Sequence, residues 1–145
     1  MKILIYFLRN IGIYKYSHGF KVNASKDIYT QIHQAEKNKF YKNVTQFESN
    51  CGYSIDNIFF ETLALHTQVV IKKSKINYQH GRILYSLLRK YIHQKINTNN
   101  GSYFNVFESG TARGFSSICL AKAIVDSKVN GHVISIDVLP HNTKM

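Results

Sequence analysis

The sequence predicts an α/β fold, with N-terminal helices leading into the first βαβ unit of a parallel sheet. Three observations carry this. Two apolar runs rich in aromatic and β-branched residues, Tyr103 to Glu108 and His132 to Val138, have the composition of strands buried on both faces. Between them lies an apolar segment with helical periodicity, Phe115 to Asp126, as a crossover between parallel strands requires. Upstream, the helical period recurs in three further stretches.

Taken in order, Met1 to Tyr16 carries Ile3, Leu4, Phe7, Leu8 and Ile11 at helical spacing, with Lys2, Arg9 and Lys15 outside the stripe, and reads as a short amphipathic helix. Ser17 to Ser54 is mixed in character; one short helix is expected near Asp27 to Phe40, and no strand. Ser54 or Asp56 then caps a helix expected to run from Ile55 to Lys73. Its apolar positions are Ile55, Ile58, Phe59, Leu63, Val69 and Val70, and Lys72, Lys73 and Lys75 suit the negative end of its dipole. His66 on this helix is expected as a partly buried, hydrogen-bonded histidine, since it lacks the spacing partners of a metal ligand.

A further helix is expected from Gln79 to Gln94, with Leu84, Leu87, Leu88, Tyr91 and Ile92 as its buried stripe. Arg82, Arg89, Lys90 and His93 form an opposite, solvated basic face. The turn-rich break Asn97 to Ser102 precedes the first strand. The segment Ser-Gly-Thr-Ala-Arg-Gly follows that strand, and the crossover helix carries Ile118, Leu120, Ala121, Ile124 and Val125. Cys119 lies on its apolar side and is expected to be buried, whereas Arg113 projects from the turn into solvent. Asn130 and Gly131 punctuate before the second strand, completing a right-handed βαβ unit. Three regions result: a basic, partly helical extension over 1–50, a helical segment over 51–100, and the start of the sheet domain over 101–145.

At 145 residues, 44% hydrophobic and 19% charged, the chain has the length of one domain and lies outside the composition of disordered proteins. The run Ile3 to Leu8 is far short of the roughly 20 residues that span a bilayer and is followed by no small-residue cleavage site, which argues against membrane spanning and secretion. Two cysteines, Cys51 and Cys119, are too few for a disulfide scaffold or a four-ligand zinc site, so a reducing, cytoplasmic setting is expected, with no metal. The sequons at Asn23, Asn43 and Asn100 are read as accidents of an Asn-rich chain. The net charge of +11 is concentrated in the first 100 residues, which hold 15 lysines and arginines against 5 acids. Such asymmetry suits a nucleic-acid or anionic-membrane surface. Its plainer source is a composition rich in Lys, Asn, Ile and Tyr together, as AT-biased coding produces, and no specific nucleic acid is expected.

The chemistry concentrates in the last 45 residues. A glycine turn between strand and helix lets the backbone approach a ligand, and the helix N-terminus that follows offers unpaired N–H groups to an anion. An acid at the end of the next strand can accept both ribose hydroxyls of a nucleoside. Gly110 and Gly114 supply the turn and Asp137 supplies the acid, which together suggest a nucleoside-bearing cofactor. A nicotinamide fingerprint started at Gly110 fails at Ala112 and Phe115, and a P-loop fails because no lysine follows Gly114.

The segments VFESGTARGFSSICLAKAI and GHVISIDVLPHN, together Val106 to Asn142, resemble the first two cofactor motifs of class I S-adenosylmethionine-dependent methyltransferases. Glu-x-Gly-Thr-x-x-Gly-Phe-Ser is most similar to the catechol and caffeoyl-CoA O-methyltransferase branch, in which the position of Ala112 is often not glycine. The resemblance implies a Rossmann-like sheet and S-adenosyl-L-methionine as cofactor. It further implies that Glu108 fixes the amino group of the methionine part, that Gly110 and Gly114 let the backbone pass beneath the cofactor, and that Thr111 and Ala112 line the turn. Ser116 would cap the helix or touch the carboxylate, Asp137 would hold the ribose hydroxyls, and Val138 would border the adenine. The run Gln79-His80-Gly81-Arg82 is similar to the segment that closes over the cofactor in that branch.

The implied acceptor is a small molecule or glycan. Only 8 residues follow Asp137. The chain is therefore expected to be an N-terminal fragment holding a cofactor half-site, with no nameable catalytic residue, inactive alone and prone to self-association. The rival functions are nucleic-acid binding through the basic segment and weak membrane-surface contact through residues 1–16.

Overall fold

A computed structural model describes residues 25–71, 75–98 and 103–137. The amphipathic stripe of Met1 to Tyr16, the lysines Lys72 and Lys73, most of the break before the first strand, and Val138 lie outside the described residues. Among the described residues the architecture is α/β, with five helices and a two-stranded parallel sheet. In chain order these are α1 (Lys26–Lys37), α2 (Lys42–Cys51), α3 (Asn57–Thr67), α4 (His80–Asn97), β1 (Tyr103–Ser109), α5 (Phe115–Asp126) and β2 (Asn130–Ile136).

The crossover unit falls where its periodicity placed it. β1 and β2 pair in parallel, with Tyr103 opposite Asn130 and Ser109 opposite Ile136, so the second strand starts and ends two residues earlier than its apolar run. α5 spans the expected residues and buries Phe115, Cys119, Leu120, Ala123 and Ile124, while Ile118 and Val125 face solvent. α1 ends three residues before the expected Phe40.

α2 is a helix the periodicity did not reveal. Its end is set by Gly52 at φ +79°, where the Gly52 N–H donates to Ser49 O and the Tyr53 N–H to Glu48 O, the paired bonds of a left-handed helix cap. α3 begins as expected, with Asp56 Oδ1 accepting the Phe59 N–H at 2.8 Å. It stops at Thr67 rather than Lys73. The β-branched run Val69-Val70-Ile71 loses side-chain freedom in a helix, and Val69 is instead buried just past the helix end, its N–H donating to Ala64 O at 3.2 Å. The expected dipole pairing with Lys75 therefore falls away, and His66 is exposed rather than partly buried.

α4 buries its expected stripe only in part: Ile92 is buried and Leu88 packs on the core, but the inward face is rotated toward Tyr85 and Ser86. Gly81, Tyr85, Ser86 and Ile92 are buried, whereas Leu87 and Tyr91 remain about half exposed. Leu84, Leu87, Leu88, Tyr91 and Leu120 line an open apolar groove. The basic face is solvated only in part: His93 is exposed, while α2 and the residues just after it lie against Arg82, Arg89 and Lys90. Arg82 pairs with Glu48 through both Nε and Nη2, the Arg89 guanidinium sits 4.7 Å from the centre of the Tyr53 ring, and Lys90 Nζ donates to Asn50 O. The His93 ring adjoins Tyr53 at 6.2 Å.

The main core joins α3, α4 and α5 through Ile55, Phe60, Ala64, Tyr78, Tyr85, Phe115, Cys119 and Ala123. A smaller cluster of Ile92, Phe104 and Ile124 seats the sheet on the helices. α1 joins α3 through polar groups: His33 Nε2 lies 2.9 Å from Glu61 Oε2, which also accepts from Tyr78 Oη at 2.8 Å. The Tyr85 hydroxyl donates to Asp126 and ties α4 to the end of α5.

Helices cover one face of the sheet. The other carries Tyr103, Phe107, Ile134 and Ile136, each 48% exposed or more. The expectation of burial on both faces is corrected for the described residues: strand composition records that a face is apolar, but covering it takes another element.

Candidate functional site

In parallel strands the C-terminal ends lie side by side, and the backbone that leaves them forms one edge. Here Ser109 and Ile136 are opposite one another, and the Gly110 N–H donates to Ile136 O at 2.7 Å, carrying the pairing one residue past β1. The chain then turns through Thr111 to Gly114, closed by the Gly114 N–H on Thr111 O at 2.8 Å. Gly110 and Gly114 take φ of +85° and +78°, and Ala112 takes +48°, a conformation that costs an L residue with a side chain. A Cβ at position 110 would meet nothing within 4 Å, so this edge of the turn is open.

Asp137, the first residue after β2, reaches back over the turn. Its Oδ2 accepts the Ala112 N–H at 2.6 Å and holds that residue in its positive-φ conformation. The carboxylate thus faces the glycine turn. Thr111 Oγ1 is buried without a hydrogen-bond partner among the described residues. Arg113 is exposed, as expected from its place in the turn.

Glu108 projects from the covered face of β1 toward the start of α5. Its Oε2 accepts from Ser117 Oγ in the first turn of α5 and from Ser135 Oγ of β2 at 3.0 Å. Partial burial pushes the Glu108 carboxyl up, but hydrogen bonds from Ser116, Ser117 and Ser135, with the charge of His80, outweigh it and hold the group below the usual glutamate value. Gly114 is the N-cap of α5 and no side chain caps it, so Ser116 does not cap the helix. The His80 ring lies edge-on to Phe115 at 5.0 Å, and the hydration it loses there lowers its pKa, with Glu108 acting in the opposite direction. Burial drives the Cys119 thiol up to about 12, which leaves it a core group and no nucleophile.

The structure brings Glu108, Gly110, Thr111, Ala112, Gly114, Ser116 and Asp137 to one edge; Val138 lies outside the described residues. Sequence reasoning missed Ser117 and Ser135. The signal for Ser135 was register: two parallel strands that end together place it directly opposite Glu108. The signal for Ser117 was its position in the first turn of α5, beside the strand's last acid. Among the described residues no group of three or more His, Cys, Asp or Glu is placed to hold a metal ion, and no helix is long and apolar enough to cross a membrane.

Both pKa shifts act in the same direction on stability. A carboxyl whose folded pKa is depressed contributes stability above its unfolded value, here 4.5, and loses it as pH falls through the folded value. A histidine whose folded pKa is lowered stays neutral in the fold to a lower pH than in the unfolded chain and takes up its charge only below that, so its contribution is present above 6.5 and declines below it. The denaturant midpoint is therefore expected to begin falling below pH 6.5 and to fall again below 4.5. His80→Gln should flatten the upper limb; a midpoint constant from pH 7 to 5 would contradict this assignment.

No family model matches the chain, and neither a curated protein nor a solved structure matches it.

Proposed function

We propose that this chain carries the S-adenosylmethionine half-site of a class I, Rossmann-like methyltransferase acting on a hydroxyl of a small molecule or glycan. The observation that carries this reading is that two acids, Glu108 and Asp137, stand at the C-terminal ends of neighbouring parallel strands, with Asp137 bonded to the open glycine turn that follows Glu108. The residues fit the group. The turn is open at Gly110, and the orphaned Thr111 hydroxyl is a buried polar atom that a bound ligand would satisfy. Gly114 and Ser116 begin the helix that bounds the ligand and Ala112 lines the turn, and the resemblance assigns the border of the adenine to Val138. The cofactor supplies a methyl group on a sulfonium, which an acceptor removes by direct displacement. The chain's own part is to bind and orient, and no residue is assigned a catalytic role.

The bond between Asp137 and the Ala112 amide gives this reading a specific cost, because ribose hydroxyls must compete with that N–H for the carboxylate. Isothermal titration of the 145-residue chain with S-adenosylmethionine tests the reading. Binding is expected, and Asp137→Ala is expected to weaken it by about 1.5 to 3 kcal/mol, the scale of hydrogen bonds to a charged group. No heat of binding in the wild-type chain, or an affinity unmoved by Asp137→Ala, would overturn it.

The rival reading as a nucleic-acid surface loses support from α4, since Arg82, Arg89 and Lys90 are engaged with α2 and its flanks. The proposal includes a cytoplasmic setting and self-association through the apolar sheet face of Tyr103, Phe107, Ile134 and Ile136. Sedimentation velocity is expected to show mass rising with concentration; a monodisperse monomer throughout would remove the self-association.

A further inference from the structure

We infer that Ser117 and Ser135 are positioning residues: together they fix the Glu108 carboxylate between α5 and β2 so that its second oxygen meets a ligand at the glycine turn. This rests on the cofactor reading above for the ligand's identity, though not for the geometry.

Three elements meet at one atom. Ser135 stands opposite Glu108 in the strand register, and Ser117 descends from the first turn of α5. Both hydroxyls reach Oε2, and they lie 3.0 Å from one another. Each serine has one proton to give. With Glu108 ionised, both protons point to Oε2, and the Ser117–Ser135 approach is left without a hydrogen of its own. The arrangement is thus matched to the charged acid, because charge-assisted bonds from two hydroxyls outweigh the one serine-to-serine bond forgone.

Two donors on one oxygen also stop rotation about the last side-chain bond, which is otherwise broad for glutamate. The carboxylate, and with it Oε1, is then held in one orientation two residues before the open turn at Gly110. A strand-end acid on a flexible side chain would instead have to be ordered by each ligand that arrives.

The chain has four glutamates, so 13C-carboxyl NMR on Glu-labelled protein resolves Glu108, with Glu108→Gln identifying its signal. The expected result is that Ser117→Ala and Ser135→Ala each raise the Glu108 pKa toward the ordinary glutamate value. Each should also weaken S-adenosylmethionine binding, read by isothermal titration, by about 3- to 10-fold, the scale of one net hydrogen bond. Ser117→Thr, which keeps the hydroxyl, should restore both. A packing role alone would leave the Glu108 titration unmoved. An unchanged Glu108 pKa in the double alanine variant, with Ser117→Thr indistinguishable from Ser117→Ala, would overturn the inference. If the wild-type chain binds no S-adenosylmethionine while the serine variants still shift Glu108, the positioning of the acid stands and the cofactor reading fails.

Discussion

Phe115→Ala should lower the free energy of unfolding by about 3 to 5 kcal/mol, the cost of removing a buried aromatic from a core that only partly relaxes. Phe115 is 1% exposed and is packed on several sides by other rings. Its centroid lies 5.7 Å from Phe60, 6.3 Å from Tyr78 and 5.0 Å from His80, in tilted or edge-on arrangements that add to simple area burial. It is also the first residue of α5, directly after Gly114, so the same side chain anchors the helix that bounds the glycine turn. Chemical denaturation with an unchanged slope and a lowered midpoint is the expected signature. Phe115→Leu should recover much of the loss. A change below about 1 kcal/mol for the alanine variant would mean that this cluster does not hold the fold.

Gly131→Ala is the second large effect, and its cause lies in the sheet itself. Gly131 stands opposite Phe104 in register, and a Cβ there would lie 2.3 Å from the Phe104 carbonyl oxygen and 3.2 Å from its carbon. The obstacle is backbone, which has no rotamer to move, and Ile124 Cδ1 at 3.3 Å closes the other side. The strands must separate, at a cost at or above the 1 to 3 kcal/mol usual for overpacking. The separation would also carry Ser135 and Asp137 away from Glu108 and Ala112. Loss of stability is therefore expected together with a rise in the Glu108 pKa. Ile134→Thr, on the uncovered face of the same strand, should change stability by no more than about 0.5 kcal/mol. Equal effects from the two substitutions would contradict the assignment of covered and uncovered faces.

The contrast between those two positions shows where sequence patterns stop being informative. Both strands read as buried on two faces, because Phe107, Ile134 and Ile136 are as apolar as Phe104 and Val133. A period of two says which side chains share a face. It says nothing of whether an element lies over that face. α4 repeats the lesson at the helical period: of its expected stripe Ile92 is buried against Phe104 and Leu88 packs on the core, yet Leu87 and Tyr91 stay half exposed while Tyr85 and Ser86 turn inward, where Tyr85 reaches Asp126. Arg82 and Lys90 on that helix gain long-range partners, Glu48 and Asn50, because α2 packs against them, and α2 itself carries too few apolar residues to announce a helix.

What the sequence determined by itself was local: the order and approximate bounds of β1, α5 and β2, the Asp56 cap, the glycines of the turn, and the presence of an acid at the end of each strand. These follow from backbone sterics and from side-chain period, which act over a few residues and need no knowledge of the remainder of the chain. The tertiary structure alone decided which stripe of α4 is buried, what neutralises Arg82, and that Ser117 and Ser135 converge on Glu108. Each of those depends on residues 9 to 34 positions apart being brought together by packing. Burial favours whichever combination of faces covers the most apolar surface while leaving the fewest polar groups unpaired, and that is a property of the assembled elements rather than of any one of them.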